Sequence, residues 1–267
     1  MKFIALLAAT SAAVVAVPAM AQSNDRSEHF DGGYISVVGG KTMQNNDTGE
    51  SLVFDANGDG TYGDAPQVGG SDVFVGRCNG AGTASNSTVC RNDKDGAEYY
   101  ARVGFDRRSG NFVIGALLEA GRNESVDAVT GFTNDDFYTM SRKAKWNAGA
   151  RLRAGYTPNG GALFYVTGGG AYARLNNRFS TTDADTIISD SGNSNAWGWS
   201  AGGGAEVMLA KNLSLGVEYL YTDVKDDDYV ANIALPATPA AISLTDVQRS
   251  NQHFRTHSVR GSLNFRF

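Results

Sequence analysis

The stretch DANGDGTYGD, residues 55–64, has residue types and spacing suited to cation binding. Oxygen-bearing side chains alternate before Gly60, as at the start of an EF-hand calcium loop. The twelfth position is Pro66, where the template requires a bidentate Glu. The spacing therefore predicts at most a weak, irregular calcium site, and an ordinary Asx-rich turn is the alternative. The candidate ligands are Asp55, Asn57, Asp59, Thr61 and Asp64.

Histidine chemistry is the second possibility, since a hydrolase would need a His and a Ser that face the same way. The chain has three histidines, His29, His253 and His257. His257 and Ser258 are neighbours on a predicted strand, so they point to opposite faces. No catalytic residue is assigned, and the chain is not expected to be an enzyme.

The first 21 residues have the features of a secretory signal peptide. Lys2 precedes an apolar run over residues 3–17, and Ala19 and Ala21 flank Met20 in an A-x-A pattern. Cleavage after Ala21 would leave residues 22–267, with 22 basic against 28 acidic residues. This acidic balance makes nucleic acid an improbable partner.

Two cysteines, Cys78 and Cys90, stand in a segment rich in Gly, Ser, Asn and Thr. An exported chain meets an oxidising compartment, and a zinc site would need further ligands that are not nearby. The pair is therefore predicted to form a disulfide within one loop.

Apolar and polar residues alternate in several segments, which is typical of strands with two different faces. In residues 98–106, for example, Tyr99, Ala101, Val103 and Phe105 share the apolar face. Eight such strands of about ten residues are indicated. Tight turns occur near Ser109, Pro158 and Lys211, whereas residues 44–96, 123–145, 176–195 and 224–252 are long polar connections.

An exported meander of this kind matches an all-β fold, an eight-stranded antiparallel up-and-down transmembrane β-barrel with long extracellular loops. A sheet in lipid must close, because unpaired edge groups have no water to bind. Both termini would be periplasmic. The alternative is a soluble secreted β-sandwich or lipocalin-like barrel that binds a ligand, in which the apolar face would point inward.

The polar face of the strands carries charges of both signs. In a narrow barrel these side chains would fill the interior and pair with one another, since an unpaired buried charge is costly. This arrangement argues against a general diffusion pore and leaves a small-solute or gated channel as an alternative. The predicted interior charges are Glu98, Arg102, Asp106, Glu119, Arg151, Arg153, Glu206, Glu218, Arg260 and Arg266.

Several segments together resemble the opacity-type outer-membrane β-barrel proteins of Gram-negative bacteria, over essentially all of residues 22–267. They are the signal peptide, YISVVGG, VFDANGDGTYGD, CNGAG, CRNDKDG, YVTGGGAYAR and the terminal NFRF. The last strand is similar to the signal that the outer-membrane insertion machinery reads. The corresponding residues here are Val259, Gly261, Leu263, Phe265 and Phe267.

The resemblance implies a surface protein of the outer membrane without enzymatic turnover. Its expected role is to support envelope integrity through lipid and lipopolysaccharide and to offer loops for adhesion to an external ligand. Apart from the weak calcium site suggested by residues 55–64, no cofactor is expected.

Overall fold

The structure is a computed structural model that describes residues 29–44, 49–68, 70–84, 89–190, 192–234 and 244–267. The predicted signal peptide, residues 1–21, lies outside the described residues. Within those ranges the chain contains no helix with the length and apolar character to cross a membrane.

The described chain is built from strands and their connections. In chain order they are β1 (Gly32–Gln44), β2 (Leu52–Asp55), β3 (Gln67–Val68), β4 (Ser71–Asp72), β5 (Gly76–Asn79), β6 (Ala81–Gly82), β7 (Cys90–Arg91), β8 (Gly96–Ser109), β9 (Phe112–Asn123), β10 (Val126–Phe132), β11 (Phe137–Tyr156), β12 (Ala162–Thr181), β13 (Ile187–Asp190), β14 (Asn193–Ala210), β15 (Leu213–Lys225), β16 (Ala231–Ala234), β17 (Leu244–Arg249) and β18 (His253–Arg266).

Eight of these strands form a closed antiparallel barrel in the order β1, β8, β9, β11, β12, β14, β15 and β18. Each pairs with the next, and β18 returns to β1, where Ile35 lies opposite Phe265. Closure leaves no free sheet edge. The short connections after Ser109, Tyr156 and Ala210 share one end of the barrel, here called the turn end, and the long connections share the other, the loop end.

The alternation along the strands places apolar residues outside and polar residues inside. On β8, Val103 and Phe105 are exposed while Arg102 and Asp106 are buried. The soluble alternative, with its apolar face inward, is therefore wrong. The sequence leaves open which face of β12 points outward. In the structure Phe164 and Val166 are exposed and face out, whereas Leu163 is buried and faces in.

The barrel strands are longer than the ten residues expected from the sequence, and β11 and β12 each have 20. Segments read as polar loops, 123–145 and 176–195, contain much of this extra strand. The outer face is polar there while the inner face still packs apolar residues such as Met140 and Phe179. A strand that leaves the membrane keeps its ladder but loses the apolar outer face on which the sequence argument relied.

The long connections are also not bare loops. Strands β13, β16, β17 and β2 form a separate four-stranded sheet drawn from three connections, while β5 and β10 extend the barrel wall beside β11. We call β2, β5, β10, β13, β16 and β17 the loop domain. It shares an apolar core with the extended ends of β11 and β12. This core includes Phe54, Val129, Ile233 and Val247 of the loop domain and Tyr138 of β11.

Candidate functional site

The barrel interior contains two clusters of paired charges. The first lies nearer the loop end and centres on Glu119, whose Oε2 accepts from Arg102 Nη2 at 2.8 Å and Arg151 Nη2 at 2.9 Å. Glu218 Oε1 accepts from the same two groups at 2.9 and 3.1 Å. Arg260 completes the cluster through Glu98 at 3.0 Å and Glu119 at 2.8 Å.

The second cluster lies nearer the turn end, and its four charged side chains come from four strands. Arg153 pairs with Asp106 and, at 3.1 Å, with Glu206. Arg266 pairs with the same two carboxylates, at 2.9 Å and 2.6 Å. Ser214 Oγ also donates to Glu206 at 2.6 Å. Each charged side chain of this cluster therefore meets at least two opposite charges.

Tyrosines connect the two clusters. Tyr165 donates to Glu218 Oε2 at 3.1 Å in the first cluster, and its ring lies 5.2 Å from the guanidinium carbon of Arg153 in the second. The ring of Tyr34 lies 4.7 Å from Arg153 and 4.9 Å from Arg266. A side chain at Gly104 would overlap this ring, so glycine makes room for it.

All ten side chains predicted to line the interior are buried there. Five are arginines and five are carboxylates, so these ten side chains together have no net formal charge. Side chains fill a barrel of this size, and ion pairing offsets the cost of removing the charges from water. Among the described residues the arrangement is that of paired side chains packed across the interior.

The outer surface of the barrel is an apolar belt with aromatic clusters towards both ends. Towards the loop end the ring centroids of Trp146 and Tyr172 are 5.0 Å apart, and Trp197 lies 4.6 Å from Tyr172. At the turn end Phe112 lies 5.5 Å from Tyr156. Aromatic girdles of this kind mark the two interfaces of a membrane.

The residues proposed as an assembly signal lie on the outer face of β18 or directly after it. Val259, Leu263, Phe265 and Phe267 are about half-exposed or more, as expected for side chains that face lipid. Gly261 lies opposite Gly39 on β1, so no side chain covers the outer surface at that pair. Their reading by the insertion machinery stays a prediction.

A third charge cluster, missed by the sequence reasoning, lies where the loop domain joins the barrel. Arg249 Nη2 pairs with Asp127 at 2.7 Å, and its Nε pairs with Glu50 at 2.6 Å. Arg142 Nε also pairs with Asp127 at 2.6 Å and donates to the carbonyls of Gln252 and His253. Recognition of the β10–β11 hairpin would have found part of it, because Asp127 lies opposite Arg142.

In this third cluster the pKa of Glu50 is raised, whereas the pKa of Asp127 is lowered. Burial raises the pKa of Glu50 despite the attraction of Arg249. Burial also acts to raise the pKa of Asp127, but Arg249 and Arg142 outweigh it and the pKa is lowered. Asp127 is therefore held as the anion, and it is the charge to which both arginines are fixed.

The predicted disulfide between Cys78 and Cys90 is present and joins the end of β5 to β7.

In the candidate calcium loop, Asp55 Oδ2 accepts from the backbone N–H of Gly60 at 2.7 Å, and Oδ1 accepts from the backbone N–H groups of Gly58 and Asp59. Asp64 accepts from Ala56 N–H at 2.9 Å.

These bonds are those of an Asx turn, the alternative weighed for this stretch. Asn57 Oδ1 accepts from the backbone N–H of Asp59, and Asp59 Oδ1 accepts from that of Thr61. No cluster of three or more metal-ligating His, Cys, Asp or Glu side chains occurs in the described part of the chain. Calcium binding stays a prediction.

The three histidines lie apart from one another. His253 Nδ1 is 2.6 Å from Asp223, His257 Nδ1 is 2.6 Å from the hydroxyl of Tyr219, and His29 Nδ1 is 2.8 Å from the carbonyl of Gly160. None of these contacts within the described residues joins a histidine to a serine or cysteine. The arrangement is that of three separate surface histidines.

A closed eight-stranded barrel with an apolar belt, aromatic clusters towards both ends and a charge-paired interior defines an integral outer-membrane β-barrel protein. The sequence agrees with this class. The chain belongs to the family described as "Outer membrane protein beta-barrel domain", whose model matches residues 7–267.

Two relatives are similar to this chain in sequence. The chain is 31% identical over 159 residues to the 31 kDa outer-membrane immunogenic protein of Brucella melitensis biotype 1, covering 57% of this chain and 60% of the relative. It is 30% identical over 129 residues to the 22 kDa outer membrane protein of Rhizobium leguminosarum bv. viciae, covering 48% of this chain and 52% of the relative.

The similarity to solved structures lies in the fold. The outer membrane protein OprG from Pseudomonas aeruginosa aligns with a TM-score of 0.50 at 13% identity, over 90% of this chain and 98% of that one. The family and the fold together show that the chain is an outer-membrane protein. It spans no more than 60% of the length of the curated relatives that it matches.

Proposed function

We propose that the protein is a non-enzymatic surface protein whose barrel anchors the loop domain at the outside of the cell. In this orientation the turn end and the terminal Phe267 face the periplasm. The loop domain supports envelope integrity and offers a surface for adhesion to an external ligand. The Brucella relative is named an immunogenic protein, which fits loops that face outward.

The observation that carries this proposal is the folded state of the loop domain. Its sheet, its apolar core and the disulfide hold connections of the barrel in one shape. Arg249, on β17, is bonded to Asp127, on β10, so the sheet is also fixed to the barrel wall. A surface that is already ordered loses less conformational entropy when it binds a partner.

The interior supports an anchoring role over transport. A channel would need a continuous polar path, whereas arginines and carboxylates pair across the interior in both clusters. We expect no open state when the protein is placed in planar lipid bilayers. Reproducible steps of several tenths of a nanosiemens, absent from a protein-free bilayer, would instead support the channel alternative.

Two membrane contacts belong to the proposal. Lipid and lipopolysaccharide would cover the apolar belt and its aromatic ends. The outer-membrane insertion machinery would read the last strand through its outward residues, of which Phe265 and Phe267 are the largest. The proposal includes no nucleic acid, catalytic residue or cofactor apart from the weak calcium site predicted at residues 55–64.

Orientation is tested with an epitope tag in cells that express the full chain. One tag is inserted after Gly58, in the exposed turn of the loop domain, and the matched control after Gly110, in the β8–β9 turn. We expect antibody to label intact cells only for the first tag, and both tags after permeabilisation. Labelling of the Gly110 tag on intact cells would refute the orientation.

Adhesion is tested separately, with the same cells on immobilised extracellular-matrix proteins and on host cell layers. Cells with the full chain are compared with cells that carry a variant whose loop domain is destabilised but whose barrel is folded. Retention that depends on an intact loop domain supports adhesion, and equal retention of both cell types contradicts it.

A further inference from the structure

A group of cations lies on the outer face of one side of the barrel, on β9, β11 and β12. Arg122, Lys143, Lys145 and Arg178 are exposed, and Arg174 is half-exposed. We call these five residues the basic patch. Their outward direction follows from strand parity on β9 and β12, where exposed Leu118 and Val166 are also at even positions.

On β11 the direction depends on a β-bulge between Ala144 and Trp146. A bulge adds one residue and reverses the parity of the strand beyond it. Lys145 and Trp146 are consequently both exposed, Lys143 faces out, and Arg142 and Ala144 face in. The bulge thus supplies two lysines to the outer surface while Arg142 remains in the buried cluster.

The basic patch has no ion-pair partner in the part of the chain that the structure describes. Among the described residues none of its five members forms an ion pair, and the exposed carboxylate of Glu124, two residues after Arg122, is not within pairing distance of them. By contrast, three cations on the opposite side of the barrel each form an ion pair. Lys41 pairs with Asp95 at 2.7 Å, Lys225 with Asp227 at 2.8 Å and Arg255 with Asp223 at 3.1 Å.

The basic patch is continuous with the aromatic cluster towards the loop end. Arg174 lies directly opposite Trp146, and its Nη1 donates to Asn195 Oδ1 at 2.8 Å. The hydroxyl of Tyr172 donates to the same oxygen at 2.7 Å. Aromatic side chains lie at the level of lipid headgroups, so cations directly beyond them lie at the level of the phosphates.

We propose that the basic patch is a binding site for the phosphate groups of the glycolipid in the surrounding leaflet, namely bisphosphorylated lipid A. The inference rests on the orientation given under Proposed function, which puts this end of the belt in the lipopolysaccharide leaflet. Arginine forks and lysine ammonium groups both bind phosphate, and Trp146, Tyr172 and Trp197 contact the sugar and acyl region below.

The test uses the full chain folded in zwitterionic detergent micelles and titrated with bisphosphorylated lipid A or with chemically dephosphorylated lipid A. Binding is followed by tryptophan fluorescence, since Trp146 and Trp197 border the basic patch. The patch variant is Lys143→Gln, Lys145→Gln, Arg174→Gln and Arg178→Gln together. The matched control is Lys41→Gln, Lys225→Gln and Arg255→Gln, on the opposite side.

We expect the original chain and the control variant to bind bisphosphorylated lipid A at least about tenfold more tightly than the dephosphorylated form. The patch variant should lose this preference, and high salt should suppress it. Heat-dependent mobility in SDS gels shows that each variant is folded. The proposal is overturned if the dephosphorylated form binds equally well, if the patch variant keeps the preference, or if both variants lose it.

The two proposals fail in different ways. If the Gly58 tag is labelled on intact cells but no phosphate preference is found, the orientation stands and the site is refuted. If the phosphate preference follows the basic patch but the Gly110 tag is labelled instead, the binding chemistry is retained and the lipopolysaccharide leaflet is excluded as its location.

Discussion

Arg249 and Asp127 are 122 positions apart in the chain and form a buried ion pair of 2.7 Å. Arg249 ends β17 of the separate four-stranded sheet, and Asp127 is on β10, which continues the barrel wall. Arg249 also bonds both carboxylate oxygens of Glu50, at 2.6 and 2.8 Å. One side chain therefore joins two of the long connections to the wall.

The substitution Arg249→Met is expected to destabilise the loop domain by about 3 to 5 kcal/mol, because it leaves the carboxylate of Glu50 buried without its cation. The barrel itself should persist, since its ladder and interior clusters are untouched. Limited proteolysis measures the first effect, and heat-dependent gel mobility measures the second. The control is Arg255→Met, which removes a half-exposed cation with an expected effect below about 1 kcal/mol. Equal protease resistance of the two variants would contradict the role of Arg249.

The stability of the loop domain is expected to fall as the pH rises from about 4 to about 7. Burial raises the pKa of Asp93 to about 7, and the negative charge of Asp127 acts in the same direction. A raised pKa in the folded state means that the stabilisation is complete below the ordinary value of 3.8 and is lost as the pH rises through about 7. Burial also raises the pKa of Glu50, which contributes to the pH dependence in the same direction. Arg249 acts to lower the pKa of both Glu50 and Asp93.

This dependence is measured by limited proteolysis of the folded protein across that pH range. Asp93→Asn removes the titrating group but keeps an oxygen for the backbone N–H of Ala128, which Asp93 Oδ1 accepts at 2.8 Å. The variant should therefore show a flatter profile. An unchanged slope in the variant would assign the pH dependence to another group.

The barrel could be predicted from the sequence because its signal is local. Period-two alternation puts Arg102 and Phe105 on opposite faces whatever the rest of the chain does, and tight turns separate the strands. The same parity placed the ten interior charges on the inner side. The ion-pair partner of each charge could not be predicted. The pair Arg260–Glu98, for example, forms because β1 pairs with both β18 and β8 and so brings these two strands close together.

The loop domain could not be predicted in the same way. Its sheet pairs β2 with β17, so Phe54 meets Val247 only after the barrel has brought the two connections together. Such pairings leave no periodic signal within either segment. The bulge at Ala144 likewise reverses the facing of Arg142 and Lys143, and a single extra residue cannot be located from composition alone.

Calcium binding at residues 55–64 is expected to be weak, with a dissociation constant above about 1 mM, the weak end for extracellular calcium sites. Asp55 is buried, and its two oxygens already accept from three backbone N–H groups, which calcium would have to displace. Titration calorimetry of the folded protein measures this. Strong binding that Asp55→Asn abolishes would show that the loop rearranges into a true site.

The same residue is expected to matter for local stability. Asp55→Ala removes the acceptor of the three N–H groups, which should cost about 1 to 3 kcal/mol in the turn. Asp59→Ala is the matched control, because Asp59 is exposed and accepts from the backbone only at Thr61. Hydrogen exchange of residues 56–60 should accelerate more in the first variant.

The interior clusters should act as coupled units. Arg260 is bonded to Glu98 and Glu119, and it lies 3.7 Å from Glu218. Arg260→Met alone is expected to destabilise the barrel by about 3 to 5 kcal/mol, because Glu98 then keeps only the hydroxyl of Ser258 as a side-chain partner among the described residues. Urea unfolding in lipid vesicles gives the free energy.

Adding Glu98→Gln to Arg260→Met restores the charge balance of the interior. The double variant should therefore recover part of the stability lost by the single one, as neutral replacement of a buried pair costs less than breaking it. A double variant no more stable than Arg260→Met would mean that Glu98 does not depend on Arg260 for its compensation.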